Sequence, residues 1–366
     1  MGLLDYYKQF EGMTEEEVNS QLREEADERK RKALTRVETL DLSQTTWPDL
    51  PHPEVVSAIT FVARRGMQRY PHMRGSQLRA RLAERHSVAQ ARLIVGNGAA
   101  ELLSAATRAL IAPGQELITS WPSYPLFPIM ARRAHGRAVP VSGGVDALLE
   151  AVGESTRVVA LASPNDPTGE LLPTAELERL LAALPDQVGV LLDESLVEFA
   201  DAQPTDSSLR LLESNPRLLV FRSFSKAWGL AGLRCGYALG GPGAEDLLAE
   251  LEPDLGVSEI SQAGALESLR NCTDLLAKRV RRVAKERESL TTTLRQRGFE
   301  LSDSQANFLW LAHPTLDGGE LASRLARSGI LVAAGDALGE ARHVRISIRD
   351  EASSTRLLNA IDRVLA

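Results

Sequence analysis

The chain has 366 residues, of which 43% are hydrophobic and 25% charged, and its formal net charge is −7. These values are typical of a globular enzyme with one large domain or two, and the acidic balance argues against a nucleic-acid partner. The sequence has no apolar run of membrane-spanning length and no basic leader, and its two cysteines and six histidines lack metal-ligand spacing. We therefore expect a cytoplasmic protein with no metal site and no membrane contact.

The N-terminal region is rich in charge. Residues 14–17, Thr-Glu-Glu-Glu, form a capping box, and the residues after it predict an exposed helix to about residue 32. This helix is either solvated on all sides or an arm that lies on a partner subunit. Residues 47–53 contain three prolines and predict a linker.

From residue 54 onward, helical periodicity alternates with short apolar strands. Helices are predicted at 54–65, 76–86 and 99–110, and strands at 92–95, 116–119, 158–162, 188–193 and 218–222. Leucine-rich and β-branched strands separated by helices indicate an α/β fold with a mostly parallel sheet between two helical layers. Ligands bind such sheets at the carboxyl ends of the strands.

The C-terminal part predicts a smaller α+β domain. A long basic helix at 275–297 precedes strands at 307–311, 330–332 and 343–348, a helix at 319–328 and a final helix to residue 366. We predict a large domain at 46–275 and a small domain at 276–366, to which residues 1–45 contribute an arm.

Two strand ends carry weak motifs. Residues 96–101, Gly-Asn-Gly-Ala-Ala-Glu, join a strand to a helix whose free amides could bind a phosphate, although an ordinary turn would look the same. A dinucleotide fingerprint would need a third glycine at Glu101. Tyr124, after the next strand, can stack on a flat heterocycle or pack in the core.

Two further strand ends are more specific. Residues 163–169, Ser-Pro-Asn-Asp-Pro-Thr-Gly, form a proline-rich loop that holds Asn165 and Asp166 rigidly at a strand terminus. Asp193 closes an apolar strand and is either structural or the partner of a buried cation, such as the ring nitrogen of pyridoxal phosphate.

Lys226 is the only lysine between Lys32 and Lys278 in an arginine-rich chain. Arginine cannot replace a lysine that must lose its proton, so this residue suggests an imine with an aldehyde cofactor. Ser223, Ser225 and Arg234 surround it and are suited to a phosphate group.

Together these motifs resemble the pyridoxal-phosphate-dependent aminotransferases of class I and II, which have the aspartate-aminotransferase fold, and within them the histidinol-phosphate branch. The resemblance is carried by residues 69–71, 96–101, 122–124, 163–169, 193–199, 223–234, 305–308 and 344–348. It implies an aspartate-aminotransferase-like large domain, a homodimer with shared active sites, and an amino acid and a 2-oxo acid as substrates.

The resemblance also implies roles for single residues. Lys226 binds the cofactor aldehyde as an aldimine and then moves the substrate α-proton, while Asp193 holds the pyridine nitrogen and Tyr124 stacks on the ring. Arg345 grips the substrate α-carboxylate, with Asn165 beside it. The cofactor phosphate is held by Gly98, Ala99, Ala100, Ser223, Ser225, Arg234 and, from the other subunit, Tyr70.

The sequence departs from the family pattern in three respects. Asp166 replaces an asparagine and Leu196 a tyrosine, and both family residues donate hydrogen bonds to the phenolic oxygen of the cofactor. We therefore expect the Lys226 linkage to keep its proton to higher pH than is usual in the family. Ala333 and Ala334 stand where the branch carries an arginine for a substrate phosphate, so we expect a neutral or aromatic amino acid, with a histidinol-phosphate-like substrate as the open alternative.

Other activities stay open at this point. A pyridoxal-phosphate decarboxylase, lyase or cyclase of the same fold is compatible with the changes at Asp166 and Leu196. A regulatory cofactor-binding protein is a third possibility, against which the intact Lys226, Asp193 and Arg345 argue.

Overall fold

The computed structural model describes residues 39–365 and, before them, residues 14, 23 and 24. The predicted N-terminal helix at 14–32 lies outside the described residues except for these three positions. Within the described part of the chain, no helix is long and apolar enough to cross a membrane.

Strands and helices alternate along most of the chain. The strands are β1 (Leu40–Asp41), β2 (Leu93–Gly96), β3 (Glu116–Ser120), β4 (Arg137–Val141), β5 (Thr156–Ala162), β6 (Gly189–Asp193), β7 (Leu218–Ser223), β8 (Gly236–Gly240), β9 (Glu300–Leu301), β10 (Phe308–Ala312), β11 (Ile330–Leu331), β12 (Ala333–Ala334) and β13 (His343–Ser347). The α-helices are α1 (Pro53–Gly66), α2 (Ser76–His86), α3 (Ala99–Leu110), α4 (Leu126–Arg133), α5 (Val145–Glu150), α6 (Thr174–Ala183), α7 (Glu245–Leu251), α8 (Glu259–Asn271), α9 (Thr273–Gln296), α10 (Gly318–Arg327) and α11 (Glu351–Leu365).

The large sheet has seven strands in the order β2-β8-β7-β6-β5-β3-β4. Neighbouring strands from β7 to β4 are parallel, whereas β8 runs antiparallel to both β7 and β2. The carboxyl ends of β2, β3, β5, β6 and β7 therefore meet at one edge, together with the start of β8. This arrangement confirms the predicted mostly parallel sheet.

Both faces of this sheet are buried. Val190 and Leu192 of β6 pack in one hydrophobic core, and Leu191 between them packs in the other. Since successive side chains of a strand point to opposite faces, this division shows a helical layer on each side. It explains why the strand is apolar without alternation.

A second, smaller sheet has the order β12-β13-β10-β9 and is antiparallel. Beside it, β1 pairs in parallel with β11. Helix α9 connects the two bodies, because its Val283 packs in the core of the large sheet and its Leu290 and Leu294 pack in the core of the small one. The domain boundaries at residues 46 and 276 stay predictions.

Several local predictions need correction. The predicted strand at 330–332 is shortened to β11, and the unpredicted strand β12 follows it in a different sheet. The predicted linker at 47–53 contains a buried anchor, since Trp47 is 7% exposed and stacks on Phe199 with 6.5 Å between ring centroids.

Candidate active site

The site begins where β8 meets two other strands. Gly236, the first residue of β8, pairs with Gly96 at the end of β2 and with Ser223 at the end of β7. A Cβ atom added to Gly236 would lie 2.5 Å from the backbone nitrogen of Ala99. Only glycine therefore lets the start of helix α3 approach the sheet this closely.

A cradle for an anion lies at this point. Gly98, with φ +95°, faces Arg234 so closely that an added Cβ would be 2.6 Å from Nη2. Arg234 Nη1 donates to Ser225 Oγ at 3.3 Å, and Ser225 N donates to Ser223 Oγ at 3.0 Å. The amides of Ala99 and Ala100 lie in the first turn of α3, where backbone N–H groups have no partner within the helix. This set of donors fits a phosphate group.

Lys226 follows the cradle. Its Nζ donates a hydrogen bond to the hydroxyl of Thr45, a residue that is 6% exposed. Burial lowers the pKa of Lys226, and the positive charge of Arg345 acts in the same direction, while Asp166 opposes it. A lysine with a lowered pKa has more of the free amine that attacks an aldehyde.

Asp193 ends β6 and is 8% exposed. Its Oδ1 accepts a hydrogen bond of 2.9 Å from Ser195 N, yet burial raises the pKa of the carboxyl group. A buried carboxylate of this kind is stabilised by a cation beside it. The protonated ring nitrogen of pyridoxal phosphate is such a cation, so the residue fits the cofactor.

The side walls of the pocket bring the remaining predicted positions together. Tyr124, Asp166 and Leu196 line the same pocket as Lys226 and Asp193. Burial raises the pKa of Tyr124, and the negative charges of Asp193 and Asp166 add to this effect. The two departures from the family pattern, at 166 and 196, therefore lie in the pocket itself.

Arg345 enters from the small sheet, on β13. Its Nη1 donates to Asp166 in an ion pair, and its Nη2 donates to Ser43 O at 3.1 Å. Its Nε is buried and has no hydrogen-bond partner among the described residues. The site thus contains a guanidinium group that is only partly satisfied.

Two predicted site residues, Asn165 and Tyr70, do not line the pocket that contains Lys226. The side-chain amide of Asn165 accepts from Ser123 Oγ at 2.6 Å and donates to Pro122 O at 3.0 Å and Thr168 Oγ1 at 2.9 Å, so it joins its own loop to the segment after β3. Tyr70 is 86% exposed and does not line the pocket of its own chain.

Sequence reasoning missed Thr45 and Ser43. Their side chains or carbonyls contact Lys226 and Arg345, but they lie in a short polar segment next to the predicted linker. The sequence gives one sign of a functional segment here, which is that a polar run follows the apolar residues 40 and 42.

Comparison with known proteins agrees with this geometry. The family model described as aminotransferase class I and II matches residues 37–361. An aromatic amino acid aminotransferase of Cutibacterium acnes is 34% identical over 330 residues, which are 88% of this chain and 92% of that protein. A histidinol-phosphate aminotransferase of Nitrosococcus oceani is 34% identical over 86% of each chain.

Solved structures show the same fold. A histidinol-phosphate aminotransferase of Sinorhizobium meliloti, crystallised in complex with pyridoxal 5'-phosphate, superposes with a TM-score of 0.78 at 27% identity and covers 90% of this chain and 91% of that chain. The predicted aspartate-aminotransferase-like fold is confirmed, and pyridoxal 5'-phosphate is the cofactor. The chain is an enzyme that belongs to the pyridoxal-phosphate-dependent aminotransferases of class I and II.

Proposed function

We propose that this aminotransferase moves the amino group of a neutral or aromatic amino acid to a 2-oxo acid, with Lys226 as its catalytic lysine. The proposal rests mainly on the observation that one pocket is lined by Lys226, Asp193 and Tyr124. Bound pyridoxal phosphate supplies an electron sink for charge that develops at the donor α-carbon.

Each residue has a distinct task in this proposal. Lys226 Nζ removes the α-proton of the donor and, in the second half-reaction, returns a proton to the α-carbon that comes from the 2-oxo acid. The lowered pKa of Lys226 favours the free amine that does this. Asp193 would keep the ring nitrogen protonated, and Tyr124 would stack on the ring. The cradle of Gly98, Ala99, Ala100, Ser223, Ser225 and Arg234 would hold the phosphate, and Asp166 would act on the phenolic oxygen.

The donor side is assigned from the small sheet. Arg345, the partly satisfied guanidinium, binds the donor carboxylate, with Asn165 shaping the loop opposite it. Ala333 pairs directly with Arg345 across β12 and β13, and Leu196 lines the pocket. A methyl group and an isobutyl group favour an apolar donor over a phosphorylated one. The relative of Cutibacterium acnes, named for aromatic amino acids, is consistent with this choice.

A homodimer completes the proposed site. Large apolar side chains are exposed near Tyr70, which is itself 86% exposed; they are Phe61 (60%), Met67 (74%), Met73 (58%) and Leu255 (66%). Exposed apolar residues in such number favour a protein interface. We propose that a second copy covers them, that Tyr70 reaches the phosphate in the partner's site, and that the dimer is cytoplasmic.

The donor is tested by a half-reaction screen. The enzyme with its cofactor is mixed with single amino acids, without an acceptor, and the loss of the cofactor band is recorded. We expect phenylalanine, tyrosine and leucine to react at least tenfold faster than histidinol phosphate or aspartate. Faster reaction with histidinol phosphate would refute the assignment of an apolar donor.

The dimer is tested separately. Light scattering is expected to give twice the chain mass, and Tyr70→Phe is expected to weaken cofactor retention without changing that mass. A monomer that keeps its cofactor and turns over would refute the shared site.

A further inference from the structure

Asp166 and Arg345 form an ion pair across the pocket, although 179 residues separate them. The side chains are 14% and 12% exposed, respectively. Asp166 comes from the loop after β5 of the large sheet, and Arg345 from β13 of the small sheet. The pair therefore links the two bodies beside the pocket that Asp166 and Lys226 line.

The guanidinium of Arg345 already binds one carboxylate, that of Asp166. Nη1 binds Asp166, Nη2 binds the carbonyl of Ser43 at 3.1 Å, and the guanidinium carbon lies 5.4 Å from the centre of the Phe308 ring. Of its donor atoms, Nε has no hydrogen-bond partner among the described residues. A carboxylate that binds Arg345 must therefore share the guanidinium with Asp166.

Two carboxylates on one guanidinium repel each other. In a pocket that is partly shielded from water, the charge of Asp166 strongly weakens the binding of a second carboxylate to the same guanidinium. Lys226 lines one pocket with both Asp166 and Asp193, and the negative charges of both carboxylates act on the lysine. Because Lys226 interacts with two carboxylates, its charge does not cancel the repulsion between Asp166 and a ligand carboxylate bound to Arg345.

We propose that Asp166 is a specificity-determining residue that competes with the donor carboxylate for Arg345. The residue lowers the affinity of the pocket for ligands with a carboxylate and leaves the affinity for uncharged ligands of the same shape unchanged. The proposal rests on the proposed function, in which Arg345 receives the donor carboxylate. Because of Asp166, amino alcohols and simple amines compete better with amino acids for the pocket than they would in a pocket that had Arg345 without Asp166.

The test is a calorimetric titration of the enzyme with its cofactor, which needs no turnover. The ligands are 3-phenylpropanoate and 3-phenylpropan-1-ol, which differ only at the carboxylate. We expect Asp166→Asn to bind the carboxylate at least tenfold more tightly than the wild type and to bind the alcohol equally well. Asp362→Asn, which removes a carboxylate from a surface pair with Arg297, is the matched control and is expected to change neither affinity.

A second variant tests whether the increased affinity for the carboxylate depends on Arg345. In the Asp166→Asn background, Arg345→Gln is expected to abolish the tenfold gain. Melting temperatures establish that each variant is folded, and Asp166→Ser, with the same expected gain, replaces Asp166→Asn if that variant does not fold. Carboxylate affinity within threefold of the wild type, or an equal gain for the alcohol, would overturn the proposal. Failure of the amino-acid donors in the half-reaction screen would count against the proposed function and leave this titration unaffected.

Discussion

Lys226 donates a hydrogen bond from Nζ to the side-chain hydroxyl of Thr45, across 181 residues of sequence. The carbonyl of Thr45 in turn accepts from Asn307 Nδ2 at 3.0 Å, and the neighbouring carbonyl of Ser43 accepts from Arg345. One short segment thus contacts the lysine of the large sheet and two residues of the small sheet. It aligns the lysine with the residue that we propose to bind the donor.

Thr45 is expected to act as a positioning residue for Lys226. Thr45→Val keeps the shape of the side chain but removes the acceptor, so the lysine loses its partner while the fold is kept. We expect cofactor to remain bound, turnover to fall about 2- to 12-fold, in line with the loss of one hydrogen bond, and the pH profile of turnover to shift.

The control for this prediction is Thr46→Val, because Thr46 is exposed. It is expected to leave both turnover and its pH profile unchanged. A Thr45→Val enzyme with the wild-type rate and pH profile would show that the hydroxyl has no part in placing the lysine.

The close contact of Gly236 with helix α3 gives a second prediction. Alanine at 236 would place Cβ 2.5 Å from Ala99 N and 2.9 Å from Arg222 O, and backbone atoms cannot move aside as a flexible side chain can. We expect Gly236→Ala to lower the free energy of unfolding by about 1–3 kcal/mol and to weaken cofactor binding at least tenfold.

The matched variant is Gly232→Ala, whose Cβ would have no atom within 4 Å. Its stability is expected to stay within about 0.5 kcal/mol of the wild type, with unchanged cofactor affinity. Fluorescence titration of the cofactor-free proteins measures both affinities, and equal values for the two variants would rule out the tight contact.

Glu198, a half-buried acid two residues after the pocket residue Leu196, predicts a pH dependence of stability. Glu198 Oε1 accepts from Trp228 Nε1 at 3.1 Å, and Oε2 is buried without a hydrogen-bond partner among the described residues. Burial raises the pKa of Glu198 from 4.5 to about 7. Between these values the folded chain binds a proton that the unfolded chain releases, so stability falls as pH rises.

Glu198→Gln removes this titration. We expect the variant to match the wild type near pH 4.5 and to exceed its free energy of unfolding by up to about 3 kcal/mol above pH 7. Urea unfolding at pH 5 and pH 8 measures the difference, with the exposed Glu288→Gln as control. A difference between variant and wild type that does not change with pH would contradict the assignment to Glu198.

The central site could be predicted because its residues lie at strand ends. Asp193 and Lys226 follow apolar strands that parallel pairing must bring to one edge, so local patterns sufficed. The strands β4 and β8 were missed for local reasons as well. β4 is a partly exposed edge strand that contains Pro140, and β8 begins and ends with glycine, which are residues that usually argue against a strand.

Contacts between the two sheets could not be predicted. The sequence contains Asp166 and Arg345, but nothing in local patterns states that a loop of one sheet meets a strand of the other. Thr45 lies just before the predicted linker at 47–53, and the structure places it beside Lys226, two residues before Trp47, which packs on Phe199 in the core of the large sheet. The domain boundaries and the roles assigned to single residues stay predictions for the same reason.

Product analysis of a single turnover tests the central claim most directly. The enzyme with its cofactor is mixed with labelled phenylalanine in the absence of an acceptor, and the products are measured by mass spectrometry. We predict one 2-oxo acid per active site, no carbon dioxide and no free ammonia, and no product from Lys226→Ala, whereas Lys285→Ala behaves as the wild type. Release of carbon dioxide or ammonia, or an unchanged yield from Lys226→Ala, would contradict amino-group transfer by this lysine.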